Sequence, residues 1–304
     1  MLPASVVEQL KLNTHLELEL DKDLRKFSTM RLAATGDMVT VKTLQGLKDT
    51  VKLFTENKIK YRVLGWGANI LLPTKATYPY IQLDFSFDRS LLDNVQNEYV
   101  LPASVSLAVL TSHAAKFGLI GWEVFTGIPA SLGGAIFMNA GTNLGEIGSL
   151  VKEVRLVTKN GEEKLIKIDN KSFSYRHNHF IQDGDVVYQV TLVNKGQDPQ
   201  ISQKIKDYLE MRNRTQPLKE ATCGCVFKNY QDLERGFTCR AGQFIDIIGL
   251  KGFTYKGLRV SPKHANFMEN FGDSNYEDVT TMIELMRNEL KLQYGVSFSP
   301  EVEF

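Results

Sequence analysis

The sequence predicts an α+β protein of more than one module, and three observations carry that prediction. The front end alternates: "DMVTVKT" (37–43) reads as a strand, "LQGLKDTVKLFTENK" (44–58) as an amphipathic helix, and "KYRVLG" (60–65) as a second strand running into glycine. The middle is strand-rich, with "YIQLDFSF" (80–87), "VKEVRLVT" (151–158), "EEKLIKI" (162–168) and "VVYQVTLV" (186–193) set around a helix at 104–118. The last third reads as a helix at "AGQFIDIIG" (241–249), a short strand near "GLRVS" (257–261) and a long helix over 276–295. A polar break, "NKGQDPQ" (194–200), precedes a charged connector helix from about Ile201 to Arg214. At 304 residues the chain has room for two or three modules of roughly 100–200 residues each. The expected division is 1–75, 76–200 and 201–299, followed by a short tail, 300–304.

Composition narrows the function classes. Hydrophobic residues make up 43% and charged residues 23% of the chain, the balance of an ordinary core-forming protein. With 36 basic against 35 acidic residues, bulk charge makes no case for a nucleic-acid or anionic-membrane partner. The N-terminus meets charge within a dozen residues and shows no signal-peptide core. The uncharged stretch 124–145 is long enough to span a bilayer, but its glycines, proline and Ser/Thr/Asn residues interrupt the apolar run, so no membrane insertion is expected. Three cysteines in a chain without an export signal fit a reducing cytoplasm.

Two glycine-rich segments stand out. In "GWGANILL" (65–72), Gly65 and Gly67 follow a predicted strand, and residues without Cβ let backbone N–H groups approach a diphosphate closely. A dinucleotide fingerprint would need glycine where Ile70 stands. Taken alone, the motif reads equally as a tight turn. The second segment, "GIPASLGGAIFMNAG" (127–141), holds Gly127, Gly133, Gly134 and Gly141, with Pro129 fixing a turn, Ser131 offering a hydroxyl and Asn139 an amide. It is a poor core helix and too apolar for a solvent loop. It suits a backbone wrapped around a large, partly phosphorylated cofactor, with a glycine-tolerant helix packed on a sheet as the alternative.

The stretch "ATCGCVFKN" (221–229) sets two cysteines either side of a glycine, which admits a metal clip, a redox pair or one working thiol. A zinc site from Cys223, Cys225, Cys239 and His264 fits poorly, because structural zinc ligands come in C-x₂₋₄-C or H-x₃₋₅-H pairs.

In order along the chain, "GWGANILL", "GIPASLGGAIFMNAG", "SYRHNHF" (174–180), "TQPLKEATCGCVFKN" (215–229), "AGQFIDIIGLKG" (241–252), "VSPKHANF" (260–267) and "PEVEF" (300–304) resemble the UDP-N-acetylenolpyruvoylglucosamine reductase family. The similarity runs from about "FSTMRLAA" (27–34) to the C-terminus, and the compact stretch after "SYRHNHF" resembles the shorter subtype. The resemblance implies a vanillyl-alcohol-oxidase-like, two-part FAD-binding region followed by a substrate domain. It implies non-covalent FAD, since "GWGAN" holds no His or Cys to tether it, with NADPH as hydride donor and a UDP-sugar as substrate. A monomer is the favoured state. Carried over by motif, Gly65, Gly67, Ala68, Asn69, Gly127, Pro129, Ser131, Gly133, Gly134, Gly141 and Arg212 would hold FAD. Tyr175, Lys228, Asn229 and His264 would meet substrate, and Arg176, Cys225 and Glu301 would be catalytic, Glu301 being supplied by the tail.

Chemistry agrees with the catalytic three. Hydride delivery to an enol ether conjugated with a carboxylate builds negative charge that a fixed guanidinium lowers in energy. The resulting enolate carbon then needs a proton from a positioned acid. Without the resemblance, Arg176 reads as a surface ion-pair partner and Glu301 as a solvated terminal residue. Two positions depart from the family pattern. Trp66 stands where a small residue is usual, and Cys225 stands where the usual general acid is serine.

Overall fold

The computed structural model describes residues 2–232 and 234–304. The chain divides into two compact units: Met1–Lys22, Gly36–Trp66 and Thr77–Leu209 form the first, and Asp23–Thr35, Gly67–Ala76 and Glu210–Phe304 the second. The units cross the boundaries expected from sequence. Residues 67–76 group with the C-terminal third because residues 69 and 71 hydrogen-bond to residues 301 and 303, a link between positions far apart in sequence. The division at residue 209 falls inside a single helix, Ile201–Thr215.

In the first unit, one sheet runs Leu16–Asp23, Thr35–Val41, Tyr80–Leu83, Arg62–Val63 in spatial order. The last three strands are parallel, with Met38 and Arg62 both opposite Tyr80, so the helix Leu44–Glu56 is the crossover that parallel pairing requires. Its N-cap Thr43 accepts the Gly46 N–H, and Leu47, Val51 and Phe54 form its buried face. A second sheet, antiparallel throughout, is ordered Glu98–Pro102, Val186–Val193, Val151–Val157, Glu163–Lys167. Its interior strand Val186–Val193 is buried on both faces, as its continuous apolar sequence requires. The helix Leu107–Phe117, capped by Ser106 and closed by left-handed Gly118, packs with the wholly buried Trp122 and Phe125.

The glycine-rich segment is in part a helix after all. Leu132–Phe137 makes one short helix capped by Ser131, with Leu132, Ala135 and Ile136 buried. A Cβ on Gly133 would stand 2.7 Å from the Ala103 Cβ, so glycine here permits close packing rather than an open loop.

The second unit is built on an antiparallel sheet ordered Ala221–Cys225, Phe267–Asn270, Leu258–Val260, Thr254–Tyr255. The helix Tyr276–Tyr294 begins with a capping box of Asn275 and Asp278 and ends at left-handed Gly295. Its buried face, Val279, Met282, Ile283, Met286 and Leu290, meets Val226, Phe227, Met268, Phe298 and Val302 in one core. Buried Asn266 holds this core to a polar strand edge: its Oδ1 accepts the Phe227 N–H at 3.0 Å, its Nδ2 donates to the Phe227 carbonyl at 2.8 Å, and its own carbonyl accepts the Val226 N–H.

Asn266→Ala strands the N–H and C=O of Phe227 without water, and is expected to cost about 2–4 kcal/mol in urea unfolding; a loss under about 0.5 kcal/mol would show that the pairing is dispensable. Buried His113 and half-buried His264 also predict a pH response. Burial lowers the His113 pKa, and burial followed by the charge of Lys251 lowers that of His264. Their folded values lie below the unfolded value of about 6.5, so their contribution is intact above that pH and is lost as pH falls toward the folded values. The urea midpoint should therefore drop between pH 7.5 and 5.5 by less in a His113→Gln/His264→Asn double variant than in the parent. An equal drop in both proteins would contradict the assignment.

Candidate active site

Each unit carries part of the residue set expected from sequence. In the first unit, Phe173–Ser174 pairs antiparallel with His177–Asn178, leaving Tyr175 and Arg176 as the turn. Arg176 sits at φ +54°. Glycine or asparagine normally fills such a turn position, and an arginine there costs about 1 kcal/mol. Its Nη2 donates to the Gly141 carbonyl at 3.0 Å, and the guanidinium lies 5.0 Å from the Tyr175 ring centroid. A Cβ on Gly141 would come within 2.7 Å of the Gly145 carbonyl and 3.1 Å of Arg176 Nη1, so a side chain there would push against the guanidinium.

Asn139 ties this hairpin to the glycine-rich segment. It is buried and left-handed, with φ +46°. Its Nδ2 donates to the Ser174 carbonyl at 2.9 Å and to Glu146 Oε2 at 2.8 Å, while its Oδ1 accepts the Gly148 N–H. Asn178 adds a bond from its Nδ2 to the Phe137 carbonyl. Sequence reading noted the amide of Asn139 but not this bracing role, and it missed Asn178 altogether, because both partners are distant.

The two glycine-rich motifs meet at Ser131. Its Oγ accepts the Gly134 N–H at 3.3 Å, and a Cβ on Gly65 would stand 2.8 Å from that Oγ. Gly127 adopts φ +72° and Pro129 is exposed. Among the described residues the N–H groups of Gly65, Trp66, Gly127 and Ser131 donate to no main-chain carbonyl.

In the second unit, Gly67 is left-handed, and a Cβ there would lie 2.0 Å from the Phe27 carbonyl. Its own carbonyl accepts the Thr29 N–H and Oγ1–H, and Thr29 Oγ1 also contacts the Thr222 carbonyl at 2.7 Å. Carbonyls of residues 67, 69 and 70 are all engaged by protein donors, whereas the N–H groups of residues 67–70, Ala68 included, reach no main-chain acceptor among the described residues. Successive amides that no main-chain carbonyl accepts, beside carbonyls already engaged, are donors of the kind an anion-binding nest uses. The diphosphate of FAD fits such donors.

The pair of cysteines is split by a β-bulge. Thr222 lies opposite Glu269 and Cys225 opposite Phe267, so three residues advance against two, with Gly224 at φ +81° as the glycine such a bulge uses. In a regular strand residues two apart share a face. Here Cys223 enters the core at 1% exposure while Cys225 is half-buried. Burial first, and then the charge of Glu301, push the Cys223 thiol up to about 12, which removes it from nucleophilic or redox work at neutral pH. None of the three cysteines is in a disulfide.

The last residues are bridged on two sides to other segments of the second unit. On one side Lys228 N–H donates to the Ser299 carbonyl and Glu301 N–H to the Val226 carbonyl; on the other, Glu303 N–H donates to the Asn69 carbonyl and Leu71 N–H to the Glu303 carbonyl. Asn69 Nδ2 donates to the Glu301 carbonyl at 2.9 Å, and Val302 is buried between these bonds. Glu301 is thereby locked one residue away from Cys225 across the pairing. Asn229 Oδ1 accepts the Ala241 N–H that opens the helix Ala241–Ile247. His264 accepts the Asn266 N–H on Nδ1 at 3.2 Å and stacks edge-on with Phe267, a neutral ring with Nε2 as its donor. Arg212 is buried within its helix, Nε donating to Gln216.

Comparison with known proteins identifies what the chain is similar to. An FAD binding domain model matches residues 38–166, and a model described as UDP-N-acetylenolpyruvoylglucosamine reductase, C-terminal domain, matches residues 216–304. The UDP-N-acetylenolpyruvoylglucosamine reductase of Halalkalibacterium halodurans is 31% identical over 301 residues, covering 98% of this chain and 97% of its own. That of Streptococcus agalactiae serotype III is 32% identical, covering 94% of each. The crystal structure of the Thermus caldophilus reductase superposes with a TM-score of 0.76 at 27% identity, over 95% of this chain and 98% of its own. Identity sustained over nearly the whole length, with both domain models in chain order, makes this chain a member of the UDP-N-acetylenolpyruvoylglucosamine reductase family.

Proposed function

We propose that Arg176, Cys225 and Glu301 manage charge and protons in the family's reaction, the NADPH-dependent reduction of UDP-N-acetylglucosamine-enolpyruvate to UDP-N-acetylmuramate. The protein is a flavoprotein oxidoreductase of peptidoglycan precursor synthesis, and with it of cell-wall biogenesis, cell shape and division. FAD, when bound, supplies the two-electron chemistry that links NADPH oxidation to substrate reduction.

The observation that carries the reading is the pairing of Glu301 N–H with the Val226 carbonyl. It sets a carboxyl residue and a thiol residue side by side on two hydrogen-bonded segments whose main chains are fixed. A positioned thiol can deliver a proton to an enolate carbon. Cys225 serves as that acid, and Glu301 assists by holding or relaying a proton. Arg176 faces the carboxylate side of the enolate; its left-handed turn residue, retained at a cost in stability, supports a functional reason for arginine there. Lys228, Asn229, His264 and Tyr175 take the sugar nucleotide.

The amides of residues 67–70 hold the FAD diphosphate without a covalent tether, and Arg212 adds positive charge. Three cysteines outside disulfides support a cytoplasmic setting. Among the described residues no helix is long and apolar enough to cross a membrane. The protein works as a monomer of the shorter subtype in this reading.

The thiol assignment is tested by the rate at which substrate reoxidises pre-reduced flavin. Cys225→Ala should slow it by about 10²–10⁴-fold, Cys225→Ser should keep most of it, and Cys223→Ala should match the parent rate; parental reoxidation in Cys225→Ala would move the proton elsewhere. Arg176→Gly relieves the left-handed strain, so it should raise unfolding stability by about 1 kcal/mol while lowering kcat/KM by about 10²–10³-fold. A glycine variant that keeps its activity would make Arg176 a structural residue.

A further inference from the structure

We propose that Asn69 is a positioning residue for Glu301, its side chain standing in for its own main-chain N–H so that this amide stays available to the cofactor. Residues 70 and 303 form a parallel bridge. Its bonds run from Glu303 N–H to the Asn69 carbonyl and from Leu71 N–H to the Glu303 carbonyl. A parallel ladder continued by one step would send the Asn69 N–H to the Glu301 carbonyl. That bond is not made. The Glu301 carbonyl instead accepts Asn69 Nδ2 at 2.9 Å, and the Glu301 N–H has turned to Val226 on the other side. One residue of the cofactor loop therefore does two jobs. Its carboxamide fixes the peptide that carries the acidic side chain, and its released N–H joins those of Gly67, Ala68 and Ile70 as donors for an anion.

Only a short side chain ending in an N–H donor meets both demands. Serine is shorter by one atom, glutamine longer by one, and aspartate offers no donor when ionised. The two bonds from Asn69 also straddle Val302, which is 3% exposed, so Glu301 is clipped beside a core anchor and cannot drift along the segment. In consequence the loop that binds the cofactor is also the support of the candidate catalytic carboxyl.

This inference rests on Glu301 acting in the reaction, and the experiment separates the two claims. Asn69→Ala and the isosteric Asn69→Asp are compared with the parent in three measurements. FAD affinity of the apoprotein, read by flavin fluorescence, and NADPH-driven flavin reduction should stay close to parental in Asn69→Ala. Reoxidation by the enolpyruvyl substrate should fall about 10–10²-fold, and in a Glu301→Gln background the same Asn69→Ala change should have less than about a twofold effect, since both act through one group. Amide hydrogen exchange should quicken at Glu301 and Glu303 in both variants, with the amides of the helix Tyr276–Tyr294 unchanged.

Additive effects of Asn69→Ala and Glu301→Gln, or loss of FAD binding as the main defect, would overturn the proposal and assign the side chain to the cofactor. Unchanged exchange at Glu301, or failure of both variants to fold, would overturn it as well. A parental reoxidation rate in Glu301→Gln alone would instead sink the role of Glu301, while the exchange data would still decide whether Asn69 pins that peptide.

Discussion

The peptide of Glu301 is hydrogen-bonded on both of its edges, its N–H to Val226 and its C=O to the side chain of Asn69. Much of the second unit depends on that arrangement. The segment 299–303 closes the polar edge of residues 226–228, supplies Val302 and neighbouring Phe298 to the core, and gives the loop 69–71 a partner for its carbonyl and amide groups. Buried backbone groups must be paired, and here a chain terminus does the pairing. A truncation of these residues would remove two bridges and buried Val302 along with a carboxylate, which is why single substitutions are the informative probes of Glu301.

The same accounting of backbone groups explains the glycines. Gly67 is required by its conformation and by the Phe27 carbonyl beneath it, and Gly141 by the crowding of the Gly145 carbonyl and the Arg176 guanidinium. Neither is a flexible hinge. Each lets two backbone segments, or a backbone and a side chain, approach more closely than a Cβ allows. Around them, asparagines do the bracing: Asn139 fixes the Arg176 hairpin, Asn266 the Phe227 peptide and Asn69 the Glu301 peptide. An amide side chain offers a donor and an acceptor without charge, so it can be buried where an ion would be costly.

The two cysteines show how one backbone irregularity assigns chemistry. Without the bulge at Gly224, Cys223 and Cys225 would share a face and an environment. With it, one thiol is sealed in the core and held protonated by burial, and the other reaches the half-buried position next to the Glu301 pairing. Three readings of "CGC" were open in sequence; the register of a strand against Phe267–Asn270 puts the two thiols in different environments.

The sequence by itself determined the α+β class, the helices at 44–56, 107–117 and 276–294, and the strands at 151–157 and 186–193, because periodicity and capping are local signals. Ordered motifs were enough to identify the family. It did not reveal the strand Ala221–Cys225 or the helix Leu132–Phe137, whose local composition argues for loop. Nor did it show that Asn266 and Thr29 matter, that Asn69 would turn its side chain to Glu301, or that residues 67–76 belong with the C-terminal third. Each of those was decided by hydrogen-bond partners far away in the chain, and a residue's own neighbours in sequence carry no record of which distant peptide will be left needing a donor.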